Sequence, residues 1–308
     1  MPLHIHTPLI SSRPLTLRTG KEVWLKLDAL QPVGSFKLRG IGAACEAHAA
    51  AGKTRFVSSS GGNAGIAVAY AGRRLGIPVT VVVPETATAH ARRLIEQEGA
   101  TLIVHGASWQ EANERAQSLL DAHTAFLHPF DDPLLWAGHA SLIDEVVREG
   151  LRFDAVVVAV GGGGLLSGVV EGLRRQGLAD VPVIAVETHG ADSLAQSMHA
   201  GRRVTLDAIS SVATSLGAKQ VCAQAFELTR SHDIRSHVVS DRAALAACLQ
   251  FLQDHRLLVE PACGAALAAL YEADSTVLAS FQAPLVVVCG GATAPYEQIN
   301  AWHANAPA

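Results

Sequence analysis

The sequence predicts an α/β fold in which mostly parallel sheets are covered by helices. Short apolar segments rich in Val and Ile alternate with Ala-rich segments of helical length along the chain. Glycine-rich turns follow several of the apolar segments, and the sequence contains neither a repeat of fixed period nor a low-complexity tract. Its 308 residues, 49% of them hydrophobic, are enough to bury a sizeable core in one large domain or two smaller ones.

The predicted strands are short apolar runs rich in β-branched residues, each followed by a turn or by a helical segment. In chain order they are Val23–Leu27, Arg55–Ser59, Val79–Val83, Thr101–Val104, Asp154–Val160, Val183–Glu187, His237–Ser240 and Leu285–Cys289.

The predicted helices lie between these strands and are rich in Ala and Leu, which favour helix formation. They include Gly65–Leu75, Ala89–Glu98, Ser108–Ala122, Leu165–Gln176, Ala243–His255 and Gly264–Glu272.

Charge and composition exclude several classes of partner. The formal net charge is only −4 and the sequence has no block of like charges, so we expect no nucleic-acid partner and no membrane partner. The first ten residues lack the basic and apolar regions of a signal peptide, and no run approaches the roughly 18 to 20 apolar residues of a spanning helix. Five cysteines, none in a C-x-x-C pair, indicate free thiols in a reducing compartment. We therefore expect a cytoplasmic protein.

Lys37 is the first residue that points to a chemistry. It follows the turn Pro32–Ser35 and the apolar Phe36, and Arg39 lies two positions further on. An amine in partly apolar surroundings near another cation loses some of its proton, and a neutral amine can condense with an aldehyde. Lys37 is therefore a candidate Schiff-base lysine. The alternative is an ordinary solvated lysine at a helix start.

Three further segments carry features of a site that binds an anionic ligand. Val57–Gly65 places small polar residues before a predicted helix, where free N–H groups and the helix dipole attract anions. Gly161–Gly164 follows a predicted strand, and successive N–H groups without side chains can close around a phosphate. Cys289 ends the last predicted strand, at the edge where ligands gather in parallel sheets.

With these segments in view, the chain resembles the fold type II pyridoxal-phosphate enzymes. It most resembles their L-serine dehydratase (serine ammonia-lyase) and threonine dehydratase family. The resemblance covers nearly the whole chain and keeps the order of the motifs, which makes it much more specific than any single motif. The matching segments are TPL (Thr7–Leu9), QPVGSFKLRGIG, SSSGGNAG, PFDDPLLWAGHAS (Pro129–Ser141), VGGGGLLSGV, VEPACGAALAAL (Val259–Leu270) and VVCGG.

The resemblance implies a tryptophan synthase β-like fold. This fold has two three-layer α/β/α domains with mostly parallel sheets and holds pyridoxal 5'-phosphate in the cleft between them. It implies a large cofactor-binding domain formed by residues 1–34 and 134–308, with residues 35–133 inserted as a small domain. It also implies a homodimer that acts on a small amino acid.

The resemblance also assigns roles near Lys37 and in the Ser-Gly-Asn segment. Lys37 would bond to the cofactor and serve as the general base, and Phe36 would flank the cofactor ring. Ser60, Asn63 and Ala64 would hold the substrate carboxylate, Ser60 counting with Lys37 among the catalytic residues, and Asn63 would also contact the phenolic oxygen of the cofactor. An ordinary core aromatic at Phe36 and a helix-capping loop at Ser60–Asn63 are the alternatives.

Further implied contacts lie on the glycine loop and the last strand. Cys289 would face the pyridine nitrogen, where a thiol cannot stabilise a full pyridinium charge and so favours elimination over transamination. A structural cysteine is the alternative. The phosphate would be bound by the backbone of Gly161, Gly162, Gly163, Gly164 and Leu165. The segment has neither the G-x-G-x-x-G nor the Walker A spacing of a nucleotide loop.

The resemblance adds a monovalent cation, K⁺, bound by Glu187 and by backbone carbonyls. Hard alkali cations prefer oxygen ligands, which fits such a set, although a solvated or capping glutamate is the alternative at Glu187. The implied ligands are Gly161, Glu187, Ala191, Leu216 and Ala218.

The activity expected from these features is deamination of L-serine to pyruvate and ammonia by β-elimination, with L-threonine giving 2-oxobutanoate as a second activity. Gly61 stands where racemase relatives carry a second serine, so two-faced proton transfer loses its second acid and space opens near the substrate side chain. The alternatives are a catabolic L-threonine dehydratase, a serine racemase, a β-replacement enzyme and a noncatalytic ligand-binding relative.

Overall fold

The computed structural model describes residues 1–272 and 276–306. Within these ranges ten strands form two separate sheets, one of six strands and one of four. The strands are β1 (Leu9–Ser11), β2 (Trp24–Lys26), β3 (Arg55–Ser58), β4 (Val79–Val83), β5 (Thr101–Val104), β6 (Thr124–Phe126), β7 (Ala155–Ala159), β8 (Val183–Thr188), β9 (Ile234–Val239) and β10 (Pro284–Val287).

Helices connect the strands and cover the sheets. Among the described residues, no helix combines the length and the apolar character needed to cross a lipid bilayer. The helices are α1 (Arg13–Thr19), α2 (Lys37–Ala50), α3 (Asn63–Leu75), α4 (Ala89–Gln97), α5 (Trp109–Gln117), α6 (Pro133–Arg148), α7 (Gly164–Arg175), α8 (Ser193–Ala200), α9 (Ala223–Ser231), α10 (Asp241–His255), α11 (Pro261–Tyr271) and α12 (Tyr296–Asn305).

The six-stranded sheet has the order β1-β2-β10-β7-β8-β9. Every neighbouring pair in it is parallel except β1 with β2, which is antiparallel. The central strand β7 is apolar and buried along its whole length, as expected for a parallel strand with both faces covered. The carboxyl ends of β7, β8 and β10 therefore meet at one edge of this sheet.

The four-stranded sheet has the order β5-β4-β3-β6 and is entirely parallel. Side chains alternate across it, because successive strand residues point to opposite faces. Phe56 and Val81 belong to a core shared with α2 and α3, whereas Val57 and Val82 pack with Ala112 of α5 on the other face. This sheet is thus the middle layer of three.

The predicted α/β class with mostly parallel sheets is confirmed. The prediction for β9 was wrong at its start, because the strand begins at Ile234 rather than His237. Helix α11 begins at Pro261 rather than Gly264 and ends at Tyr271 rather than Glu272. Strands β1 and β6 and helices α1, α2, α6, α8, α9 and α12 were absent from the predicted elements.

The division of the strands supports the predicted domain boundaries, which stay a prediction. All four strands of the smaller sheet lie within residues 35–133, and all six strands of the larger sheet lie within residues 1–34 and 134–308. The largest contacts between the two parts involve α2, which packs on both α3 and α6.

Candidate active site

Lys37 is the first residue of α2, and the backbone before it is tied to the loop after β10. The Phe36 N–H donates to the Cys289 carbonyl at 3.0 Å, and the Gly291 N–H donates to the Gly34 carbonyl at 2.8 Å. These two bonds join segments that are far apart in the sequence. They hold Lys37 and Cys289 side by side at the carboxyl edge of the larger sheet.

The amine of Lys37 has an environment that weakens its hold on a proton. Burial lowers the pKa of Lys37 to about 8, although Cys289 and Glu260 oppose the shift. Its Nζ donates to the Pro129 carbonyl at 2.6 Å and lies 5.1 Å from the centre of the Phe36 ring. With this pKa, roughly a quarter of the amine is neutral at pH 7.5, against about one part in a thousand for an ordinary lysine.

The sequence analysis gave two reasons for a lowered pKa at Lys37, apolar surroundings and the nearby Arg39, and only the first holds. Burial is the cause of the shift, whereas the charge of Arg39 is matched by its own partners. Arg39 donates to Asp28 at 2.7 and 2.8 Å and to both oxygens of Glu145 at 2.7 Å. Lys26 adds a contact to Glu145 at 2.6 Å. This buried network fastens α2 to α6 and to the 3₁₀ turn after β2.

The glycine loop Gly161–Gly164 joins β7 to α7 and has no room for side chains. A Cβ at Gly162 would lie 2.2 Å from the Phe130 ring, and one at Gly161 would lie 2.9 Å from the Leu216 backbone. Gly163 has φ 92°, a left-handed conformation that favours glycine. Leu165, buried in the first turn of α7, completes the loop. Backbone N–H groups at such a helix start form a receptor for a phosphate.

The Ser-Gly-Asn segment turns from β3 into α3. Ser60 and Gly61 are half-buried, whereas Asn63 and Ala64, the first two residues of α3, are buried. The Gly62 N–H donates to the Ser60 hydroxyl at 3.4 Å. The start of α3 thus presents a hydroxyl, an amide and helix N–H groups together, a combination suited to a carboxylate.

Asn63 is joined across the cleft to two segments of the larger sheet. Its Nδ2 donates to Glu260 Oε1 at 2.8 Å, and its Oδ1 accepts from the Ala292 N–H at 2.9 Å. Glu260, only 3% exposed, also accepts from the Thr293 hydroxyl at 2.8 Å. The sequence reasoning assigned no role to Glu260. The available signal was its isolation as the only charged residue in the apolar run from Leu257 to Leu270.

Cys289 lies two residues beyond β10 and is buried. The neighbouring Cys263 thiol, together with burial, raises the pKa of Cys289 well above its usual value. The residue is therefore a neutral thiol at the edge of the sheet, close to Lys37. The chain's five cysteines are free and buried: Cys45, Cys222, Cys248, Cys263 and Cys289.

Glu187 is a buried residue of β8 that caps a helix. Its two oxygens accept from the N–H groups of Leu194 and Ala195 at 2.9 and 2.7 Å, at the start of α8. Burial raises the pKa of Glu187 to about 8 in spite of these bonds. These two bonds fit the capping interpretation of Glu187, and the cation role stays a prediction.

Some of the backbone positions predicted to share a cation with Glu187 contact one another. Leu216 lies against Gly161, and the Leu216 carbonyl accepts from the Ala218 N–H at 2.8 Å. Ala191 pairs with Thr188 at the end of β8. In the described part of the chain no three His, Cys, Asp or Glu side chains gather into a metal-binding group. The cation site stays a prediction.

Several of the predicted cofactor and substrate residues are linked by a series of contacts. Lys37 bonds to Pro129, whose neighbour Phe130 packs on Gly162, and the chain segment before Lys37 bonds to Cys289. From there Glu260 connects the loop after β10 to Asn63.

Comparisons with known proteins match this geometry. The family model for the pyridoxal-phosphate dependent enzymes matches residues 1–290. The Homo sapiens protein named L-serine dehydratase/L-threonine deaminase is 46% identical over 97% of this chain and 94% of its own length. A fungal L-serine ammonia-lyase from Rhizomucor miehei has a TM-score of 0.95 and 34% identity, with 100% of both chains covered. Maize serine racemase has a TM-score of 0.88 and 25% identity, covering 98% of this chain and 92% of its own. The chain belongs to the family of pyridoxal-phosphate-dependent enzymes.

Proposed function

We propose that this enzyme is an L-serine dehydratase, which converts L-serine to pyruvate and ammonia and also accepts L-threonine, giving 2-oxobutanoate. The observation that carries the proposal is the Lys37 amine, with a pKa of about 8, which is linked through Pro129 and Phe130 to the glycine loop and through the backbone of Phe36 to Cys289. The human relative is named for both substrates. The fold alone does not distinguish a dehydratase from a racemase, since maize serine racemase has the same fold.

The residues present fit pyridoxal 5'-phosphate. The glycine loop is so closely packed by Phe130 and Leu216 that only backbone is left to line it, which suits a phosphate. The partly neutral amine of Lys37 is ready to bond to an aldehyde. When bound, the cofactor supplies that aldehyde and a ring that accepts electron density from the substrate Cα.

Lys37 is proposed to act as the general base. A lysine with a pKa near the working pH can take a proton from Cα and return one later in the cycle, which an ordinary lysine does poorly. Its bond to the Pro129 carbonyl gives the amine a fixed direction, and the half-buried Phe36 ring covers one side.

The start of α3 is proposed to hold the substrate carboxylate. Ser60 offers its hydroxyl, Asn63 and Ala64 offer their backbone N–H groups in the first turn, and the positive end of the helix dipole adds to the attraction. A Cβ at Gly61 would lie 3.1 Å from the Ala87 Cβ and 3.3 Å from Val83, so close packing favours glycine at this position.

The neutral thiol of Cys289 favours elimination over competing reactions. A thiol facing the pyridine nitrogen supplies no negative charge to stabilise a pyridinium, so electron density on Cα is not stored for long. Together with Gly61, which provides no hydroxyl for the second face of Cα, this places racemisation and transamination below elimination.

Three further features belong to the proposal. We propose a K⁺ site at Glu187 and the carbonyls of Gly161, Ala191, Leu216 and Ala218, supported by the contact between Gly161 and Leu216. We propose a cytoplasmic location, supported by five buried free thiols. A homodimer rests on the family resemblance.

Two product assays test the proposed function. We expect the holoenzyme to form pyruvate from L-serine and 2-oxobutanoate from L-threonine. Lys37→Ala is expected to abolish both products. Lys53→Ala, which removes an exposed lysine that also donates to a backbone carbonyl, is the matched control and is expected to keep them.

The same samples distinguish the alternatives. Threonine turnover well above serine turnover would favour a threonine dehydratase, and D-serine in the recovered substrate would favour a racemase. Turnover that requires an added thiol nucleophile would favour a β-replacement enzyme. Cofactor binding without any of these products would favour a noncatalytic relative and would overturn the proposal.

A further inference from the structure

Glu260 is a buried carboxylate that connects three separate segments. It occupies the N-cap position of α11 but its side chain does not cap that helix. Instead Oε1 accepts from Asn63 Nδ2 at 2.8 Å, and Oε2 accepts from the hydroxyl and the N–H of Thr293 at 2.8 and 3.4 Å. The start of α3, the start of α11 and the loop after β10 therefore converge on one side chain.

The backbone beside Glu260 is shaped to admit it. A Cβ on Gly291 would lie 1.9 Å from the Glu260 Cδ, and Gly291 has φ 123°, a conformation that side chains rarely adopt. The glycine therefore serves the close approach of this carboxylate to the loop. Such a fit indicates that the position of Glu260 is defined to within a fraction of an ångström.

The contacts of Asn63 fix which way its amide points. A primary amide has one acceptor oxygen and two N–H donors, whereas an ionised carboxylate only accepts. Glu260 therefore selects the NH₂ end, and the Ala292 N–H selects the oxygen end. Turning the amide over would place oxygen against carboxylate and NH₂ against N–H. Both partners thus favour the same orientation.

The second N–H of Asn63 makes only a long hydrogen bond, to the Ser215 hydroxyl at 3.5 Å, which a ligand can replace. Ser215 lies beside the glycine loop, since its carbonyl would be 3.1 Å from a Cβ on Gly161. The second N–H therefore points toward the glycine loop, where the cofactor is proposed to bind.

We propose that Glu260 is a positioning residue that orients the Asn63 amide so that its second N–H donates to the phenolic oxygen of the cofactor. The inference rests on the proposed function for the placement of the cofactor. It adds a residue that acts through Asn63 and does not itself touch the cofactor. It predicts that cofactor affinity depends more on the length of the side chain at position 260 and on its acceptor oxygen than on its charge.

Two substitutions separate reach from charge. Glu260→Gln keeps the length and an acceptor oxygen for Asn63, and its NH₂ can donate to the Thr293 hydroxyl. Glu260→Asp keeps the charge but is one methylene too short. Apoenzyme is titrated with pyridoxal 5'-phosphate without substrate, following the absorbance of the bound cofactor. We expect the Kd of the Gln variant to stay within about threefold of the wild type and that of the Asp variant to rise about tenfold, the value of one hydrogen bond.

A double-mutant cycle tests whether Glu260 acts through Asn63. In an Asn63→Ala background, Glu260→Asp is expected to leave the cofactor Kd unchanged. Weakening by Gln as large as that by Asp, or larger, would overturn the inference, because the uncharged but full-length side chain would then fail, and a full effect of Asp without Asn63 would overturn it in favour of a general structural role. A wild type that binds the cofactor but makes no pyruvate would defeat the proposed function and still leave this cycle readable. Apoenzyme melting temperatures identify any variant that fails to fold. The cofactor Kd values of the folded variants, in the Gln comparison and in the cycle, then test the inference.

Discussion

Replacing Glu145 by Gln is expected to lower the free energy of unfolding by about 3 kcal/mol at pH 7. Both of its oxygens accept from Arg39, and Lys26 donates to it as well, all three side chains being buried. Burial alone would raise the pKa of Glu145, but these partners lower it from the usual 4.5 to about 2. A shift of this size corresponds to about 3 kcal/mol at roughly 1.4 kcal/mol per unit. The general cost of breaking a buried ion pair, about 3 to 5 kcal/mol, gives a similar figure.

The sign of the pH dependence follows from the direction of the shift. A carboxylate whose pKa is lower in the folded state stabilises the protein above its unfolded pKa and loses that contribution as the pH falls toward the folded pKa. For Glu145 the stabilisation is therefore complete above about pH 5 and decreases toward pH 2. At pH 3.5 the same arithmetic leaves about 2 kcal/mol.

Urea unfolding at pH 7 and at pH 3.5 measures both quantities. Glu227→Gln is the matched control, since Glu227 forms an exposed pair with Arg230 and such pairs contribute below about 1 kcal/mol. A loss below about 1 kcal/mol for Glu145→Gln, or a loss that is equal at the two pH values, would refute the reasoning.

Three further predictions concern the site. Gly162→Ala is expected to weaken cofactor binding at least tenfold in a titration, because the new Cβ would lie 2.2 Å from the Phe130 ring. Gly177→Ala, where φ is 73° and strains any side chain but the new Cβ would meet no described atom within 4 Å, controls for backbone strain and is expected to leave binding unchanged. The rate at which apoenzyme takes up the cofactor is expected to rise with pH and reach half its limit near the Lys37 pKa of about 8, and a flat rate between pH 7 and pH 9 would contradict this. K⁺ is expected to raise the melting temperature more at pH 8.5 than at pH 6.5, because the pKa of Glu187 is about 8 and only its ionised form attracts a cation. Glu187→Gln is expected to make the effect of K⁺ equal at the two pH values. If K⁺ still stabilised this variant more at pH 8.5, the result would count against the site.

The glycine loop illustrates what local sequence can predict. An uninterrupted apolar run followed by four glycines and an apolar helix predicts a buried strand, a bare backbone turn and a helix start, and β7, Gly161–Gly164 and α7 follow in that order. Every part of this inference depends on residues within about twenty positions of each other. Contacts with Phe130 and Leu216 then explain why the turn excludes side chains, and these could not be read from the loop itself.

Helix α2 was not among the predicted helices, and two residues in its sequence disfavour a helix on local grounds. Gly40 and Gly42 each disfavour helix formation by about 1 kcal/mol relative to Ala. Both are explained by packing, since a Cβ on Gly40 would lie 2.6 Å from the His139 ring and one on Gly42 would lie 3.2 Å from Leu3. Close contact with α6 requires small residues there, and the tertiary structure overrides the propensity.

Strand β9 shows a different limit. Its first residues after Ile234 are Arg235 and Ser236, which interrupt the apolar pattern and led to a predicted start at His237. The strand lies at the edge of the sheet, paired only with β8 among the described strands. Polar side chains are common at such edges because they discourage pairing with other molecules. The position of a strand in its sheet is not visible in its own sequence.

The role of Glu260 could not be predicted from local sequence, because its partners are distant along the chain. Its partners Asn63 and Thr293 lie 197 and 33 positions away, and its neighbours in α11 are apolar. A charge inside an apolar run signals that some partner exists, because an unpaired buried carboxylate would be very costly. Only the fold identifies that partner.

The first turn of α2 contains two cationic residues, Lys37 and Arg39, whose surroundings differ. One anchors the helix and the other is proposed to take part in the chemistry. Arg39 is matched by Asp28 and Glu145, so its charge is permanent and fixes the helix. Lys37, two positions earlier, donates to a carbonyl instead of a carboxylate, and burial then lowers its pKa to about 8. Had Lys37 been given an ion pair of the same kind, its pKa would have stayed high and its amine would have been charged at neutral pH. Arg39 thus anchors the helix, while Lys37, which has no ion pair with any described residue, keeps a reactive amine.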